Sequence, residues 1–141
     1  MSVTAVLLPL FVQVVLTFVL GFMLAGTRTP LLLRGEVKPE QVALRQPNWP
    51  ARTLQIGYSF QNQFEAPVLF YVLTIIAIIT RKADLLFVVL AWVFVVSRLL
   101  HAFVHVTSNN LRARGGLFGI GMLVLAIMWL IVIVKILLGA P

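Results

Sequence analysis

Four long apolar runs constrain this chain more than any other feature. Residues 3–26 are interrupted only by Thr4, Pro9, Gln13 and Thr17; residues 85–103 carry Arg98 and His101; residues 116–138 carry one charge, Lys135. The fourth run is less obvious, because 66–79 alone is too short and has to be extended back to about Arg52, where one side is polar. A hydrocarbon core of about 30 Å is crossed by about 20 helical residues. The runs therefore predict helical spans over about 3–27, 52–80, 85–107 and 116–139, in a single all-α domain covering 1–141. Charged residues make up 11% of the chain and mean hydropathy is +1.06, whereas a soluble domain carries about a quarter charged residues. An ordinary water-facing surface is excluded, and 141 residues leave little room for a separate catalytic module. The first run lacks a basic leader and is too long for a signal peptide, so it is expected to be retained. There is no cysteine, so any thiol chemistry needs a sulfur from the substrate.

The links set the topology. Residues 80–84 are a tight connection that makes the second and third spans antiparallel neighbours, 28–50 form a long loop marked by Pro30, Pro39, Pro47 and Pro50, and 108–115 is short again. Basic residues concentrate on one side. Arg28, Arg34, Lys38, Arg45 and Arg52 precede the second span and Arg112 and Arg114 follow the third, against Arg81, Lys82 and Lys135 on the other side. By the positive-inside rule the first and third loops are cytoplasmic and both termini lie on the opposite, periplasmic or lumenal side. The formal charge of +7 is thus scattered between apolar runs. It forms no basic patch interleaved with aromatics, and no nucleic-acid partner is expected.

Polar groups inside spans are costly, and each is a functional candidate. Glu65 and Arg98 reach a similar depth from the cytoplasmic end, which predicts an ion pair between the second and third spans. Tyr58, Asn62 and Glu65 share a face of one helix, as do Arg98, His101, His105 and Ser108 of the next. Together they describe a polar cleft opening to the cytoplasm near Arg112 and Arg114. Two readings stand side by side: hydrogen bonds that only hold helices together, or a site for an anionic ligand. His101 and His105 at i and i+4, with Glu65, could ligate a metal, but the adjacent Arg98 repels cations and no second acid is paired, so no metal is expected. Gly115 and Gly119 form a small-xxx-small pair that suggests close helix packing. Trp49, Phe118, Trp92 and Trp129 read as interface anchors or packing residues.

Two stretches carry a specific resemblance. "FQNQFEAPVLFY" (60–71) is similar to the Asn-x-x-Glu-x-Pro region of the second helix in the MAPEG family, the membrane-associated proteins of eicosanoid and glutathione metabolism. "SRLLHAFVHVTSNNLRAR" (97–114) resembles that family's third-helix Arg-x-x-His signature with the basic loop after it. The resemblance, to a bacterial-type member, covers essentially the whole chain. It implies a four-helix protomer in a homotrimer, an inner-membrane location, and intersubunit sites that bind glutathione as co-substrate and open to the cytoplasm. Carried over by position, Asn62, Glu65, Arg98 and His101 match glutathione-pocket residues. Arg114 matches an arginine near the sulfur, and Arg28 another basic pocket residue. Tyr58 and Arg112 complete the candidate binding set, and Arg114 with His105 form the candidate catalytic pair. The chain departs from enzymatic relatives at Tyr58 and Gln61, where they carry arginines. It has His105 where they have a tyrosine, and Gly115 where some have a hydroxyl.

The implied activity is a glutathione-dependent transferase or peroxidase acting on a small hydrophobic electrophile that arrives from the bilayer. The alternative is a non-catalytic member that binds membrane lipid or another small molecule. A third class, a proton-coupled channel or transporter using Glu65, His101 and His105, lacks a continuous pore in the implied fold.

Overall fold

The computed structural model describes residues 1–139 as six helices: α1 (Val3–Leu33), α2 (Pro39–Val42), α3 (Ala51–Asn62), α4 (Ala66–Ile79), α5 (Leu85–Val106) and α6 (Leu111–Leu137). Four units are long and apolar enough to cross a membrane: α1, α3 with α4, α5, and α6. The chain is an all-α integral membrane protein. Ser2 opens α1 by accepting from the Ala5 amide, Asp84 opens α5 by accepting from Phe87, and Asn110 opens α6 by accepting from Arg112 and Ala113. These side chains satisfy amides that have no partner in a first helical turn.

The helices extend differently from the apolar runs. α1 continues past Thr27 to Leu33, and α6 starts at Leu111 rather than near Gly116, because helix geometry persists beyond the apolar residues. The second span, read as one helix from sequence, is broken at 63–65. Pro67 lacks the N–H that a continuous helix would donate to Gln63, and its ring crowds the preceding backbone. Here Gln63 takes over the end of α3: its Nε2 donates to the Ser59 carbonyl at 2.9 Å, and its Oε1 accepts from Gln13 Nε2 at 2.8 Å. Gln13 and Gln63 are fully buried, so the break is closed by a side-chain pair that reaches across from α1.

Packing divides along the bundle. Phe70, Leu73 and Ala77 of α4 meet Ala91, Phe94 and Val95 of α5 and Leu125, Met128 and Val132 of α6, with the Phe70 and Phe94 rings 4.8 Å apart. A smaller cluster at the loop end joins Leu20 and Leu24 of α1, Ile56 of α3, and Ala102 and Val106 of α5. Between the two lies a polar layer of Gln13, Ser59, Gln63, Arg98 and His101, all buried. The α5–α6 contact is the most extensive. Its tight point is Gly121, where an added Cβ would fall 2.9 Å from Ser97 Oγ; a Cβ at Gly115 or Gly119 would meet nothing within 4 Å. Within the chain the glycine that permits close packing is therefore Gly121, outside the small-xxx-small pair. At the far end Lys135 is paired with Asp84.

Candidate functional site

At the loop end of the bundle, α3, its break, α5 and the start of α6 enclose an open cleft of about 510 Å³. That volume lies within the roughly 300–1,000 Å³ typical of small-molecule sites. Asn62, as the last residue of α3, and Glu65, in the turn before α4, line one wall with Tyr58 and Gln61. His101 and His105, one turn apart on α5, line the second wall. Arg114, Gly115 and Phe118, in the first turns of α6, close the third.

The helix break decides where the acid goes. Glu65 has φ −100° and ψ −110°, outside helical geometry, and its side chain is exposed in the cleft. The ion pair expected between Glu65 and Arg98 is accordingly not formed, whereas carboxylate pairs such as Arg34–Glu36 and Lys135–Asp84 are. Arg98 is 1% exposed and its Nη2 donates to Asn62 Oδ1. The guanidinium thus stands behind the cleft wall and pins the end of α3 to α5.

The histidines are built into the opposite wall. Both are buried, their rings lie 5.7 Å apart and nearly perpendicular, and the His101 ring is 6.0 Å from that of Phe118. Neither Nδ1 has a hydrogen-bond partner. A buried imidazole nitrogen without a partner is costly unless a ligand or water supplies one. Arg114 is steered by Asn109, whose Oδ1 accepts from Arg114 Nη1 at 2.6 Å and whose φ of 52° bends the α5–α6 link sharply. The remaining guanidinium N–H groups of Arg114 are left for the cleft.

Tyr58, Asn62, Glu65, His101, His105 and Arg114 of the sequence-derived set therefore line one cleft, with Arg98 directly behind it. The other two members lie elsewhere in the chain. Arg28 lines a separate cleft on the far side of α3, with its guanidinium carbon 4.9 Å from the centre of the Trp49 ring. Arg112 is exposed, and only its backbone amide is engaged, by Asn110. Ser108, grouped by helical spacing with His101 and His105, leaves that face because α5 ends at Val106. Sequence reading missed Phe118 as a cleft residue, taking it for an interface anchor or a packing residue. It also missed Gln63 and Gln13, whose pairing across 50 positions leaves no local signal.

What this arrangement can do chemically follows from its charges. A carboxylate at one edge can receive an amine, a guanidinium at the opposite edge can hold a carboxylate or a developing anion, and two imidazoles between them can exchange a proton. No curated protein and no solved structure matches the chain. A scan against family models matches one, described as MAPEG family, over residues 6–134. Because that match spans nearly all of the chain and the helices carry the same four-span arrangement, the chain belongs to the MAPEG family.

Proposed function

We propose that the cleft binds glutathione and that the chain is a membrane-bound glutathione-dependent transferase or peroxidase for small hydrophobic electrophiles. The observation that carries the reading is that Glu65, Asn62, His101, His105 and Arg114, from three helical segments, line one open cleft. The donor set fits the tripeptide. Glu65 can receive its amine, and Arg114 has guanidinium N–H groups for a carboxylate or for the sulfur. Asn62 offers a side-chain amide while Arg98 holds it in place. Arg28 and Arg112 lie outside the cleft of this protomer, and the reading rests on the other candidates.

Bound there, glutathione supplies a sulfur nucleophile that forms a carbon–sulfur bond as the leaving group departs with its electron pair. A thiol ionises near pH 8.5 in water, roughly, and an adjacent guanidinium favours the anion. Arg114 would hold that charge, and the imidazole of His105 on the cleft wall would accept the thiol proton. Asn62 and Glu65 would fix the tripeptide, so the two reactants meet in a set orientation. In keeping with the family, we place the protein in a bacterial inner membrane as a homotrimer, with the cleft on the cytoplasmic side where the basic loops lie.

A second reading is a non-catalytic member that binds lipid or another small molecule. It is favoured by Tyr58 and Gln61, neutral cleft residues where enzymatic relatives carry arginines. One experiment separates the two. Millimolar glutathione added to purified protein should produce thiolate absorbance near the ultraviolet edge, and Arg114→Ala should abolish it. No thiolate signal and no glutathione binding would remove the first reading.

A further inference from the structure

The turn between α5 and α6 uses two consecutive amides where carboxylates would make the same bonds. Asn110 caps α6, its Oδ1 accepting from the Arg112 and Ala113 amides at 3.0 and 3.2 Å. Asn109 ties both helices together. Its backbone amide closes the end of α5 on the Val104 carbonyl at 2.8 Å, and its Oδ1 accepts from Arg114 Nη1 at 2.6 Å. Its φ of 52° lies in the left-handed region, which glycine, asparagine and aspartate enter most readily. Aspartate equals asparagine as a cap, its charge is favoured at a helix N-terminus, and its bond to a guanidinium is the stronger one. Stability therefore does not call for the amides. What they preserve is charge. The first turn of α6 holds Arg112 and Arg114 and no acid, so two guanidinium groups and the positive end of the helix act together beside the cleft. Among the cleft's lining residues Glu65 is the single acid; Tyr58, His101 and His105 are the other titratable groups that share it with Arg114, and Arg98 stands behind the wall.

We infer that Asn109 is a positioning residue: it fixes the Arg114 guanidinium at the cleft with a neutral acceptor, leaving the full positive charge for an anion bound there. The inference rests on the reading of that anion as the glutathione thiolate. An unheld arginine side chain samples many rotamers, and a bond already in place reduces the freedom that anion binding has to remove. An aspartate would hold the guanidinium too, but as an ion pair whose negative charge opposes a second anion. Asn109 also joins the two cleft walls in one residue, since its amide ends the helix that carries His105 while its side chain sets Arg114.

Two substitutions separate holding from charge. Asn109→Gly keeps the backbone, because glycine adopts positive φ without strain, and removes the acceptor. Asn109→Asp keeps an acceptor and adds a negative charge. Both are made in the full chain and purified in detergent micelles. Nitrogen NMR of arginine-labelled protein reads the guanidinium, with the Arg114 signals identified by their loss in Arg114→Ala. Ordered, separately resolved Nη signals are expected in the parent and in Asn109→Asp, and averaged ones in Asn109→Gly. The pH titration of bound glutathione, followed by thiolate absorbance, reads the charge. The thiol pKa should rise by about one unit in Asn109→Gly, tenfold in the ionisation constant, and by at least as much in Asn109→Asp. A merely structural role would leave Asn109→Asp like the parent, and that result would overturn the inference. So would an Arg114 signal or a thiol pKa unchanged in Asn109→Gly. In these cases the parent still shows the thiolate, and the proposed function stands. A parent that binds no glutathione would remove the proposed function and the inference together.

Discussion

Arg98 carries a charge into the middle of the bundle, and its hydrogen-bonding partner in the structure is Asn62, at the end of α3. Replacing Asn62 by alanine leaves a guanidinium that is 1% exposed, with its Nε already unpartnered, short of one more acceptor. Hydrogen bonds to charged groups contribute about 1.5–3 kcal/mol, and removing one partner of a buried charge costs about 3–5 kcal/mol when nothing replaces it. Asn62 also lines the open cleft, so water can enter the space it leaves. That favours the lower range, about 2 kcal/mol. The assay is reversible unfolding in mixed micelles, followed by circular dichroism, for Asn62→Ala, Arg98→Met and the double variant. Once Arg98 is methionine, losing Asn62 should cost less than about 0.5 kcal/mol, giving a coupling above about 1 kcal/mol. Additive effects, or an Asn62→Ala chain as stable as the parent, would refute the claim that this bond ties α3 to α5.

Three further outcomes follow from packing and charge. Gly121→Ala should destabilise by about 1–3 kcal/mol through the clash with Ser97 Oγ; Gly26→Ala, with nothing within 4 Å, should not, and Ser97→Ala should relieve much of the Gly121→Ala cost in thermal unfolding. Gln13→Ala should cost about 1–3 kcal/mol by leaving the buried Gln63 Oε1 without its donor, whereas a loss of under about 0.5 kcal/mol would show that the pair does not hold the break. The hydrogen bond from Lys135 lowers the pKa of Asp84, whose side chain is 47% exposed. A group whose folded pKa is depressed adds stability above its unfolded value, about 3.9, and loses it as pH falls through the lower folded value. The α5–α6 end contact should therefore contribute up to about 1 kcal/mol at neutral pH. This contribution should vanish in strong acid or in Lys135→Met, and a pH-independent difference between parent and Lys135→Met would contradict it.

Much of the cleft's lining was legible before the fold. The helical spacing of His101 and His105 put both on one face, and the structure finds both on the cleft wall. Helical spacing failed at Ser108 because it assumes an unbroken helix and Ser108 lies just past the end of α5, whereas Glu65, also past a helix end, still lines the cleft with Tyr58 and Asn62. The Glu65–Arg98 pair did fail: equal depth in a bilayer does not bring two side chains together when one lines the cleft and the other has a neutral partner at hand. Arg28 shows the same limit. Its type and position suggest a basic pocket residue, but which of two clefts it enters depends on Gly57 and Trp49, on a different helix and a loop.

The sequence by itself determined the class, the spans and the identity of the polar residues inside them. Hydropathy and the cost of charge in hydrocarbon act on each segment locally, so they can be read one residue at a time. The tertiary structure alone decided where α3 stops, which partner Arg98 takes, and that two clefts share the Tyr58 and Gln61 wall. Those outcomes depend on contacts between distant residues, such as Gln13 with Gln63 and Gly121 with Ser97. Such contacts exist only after the helices have packed.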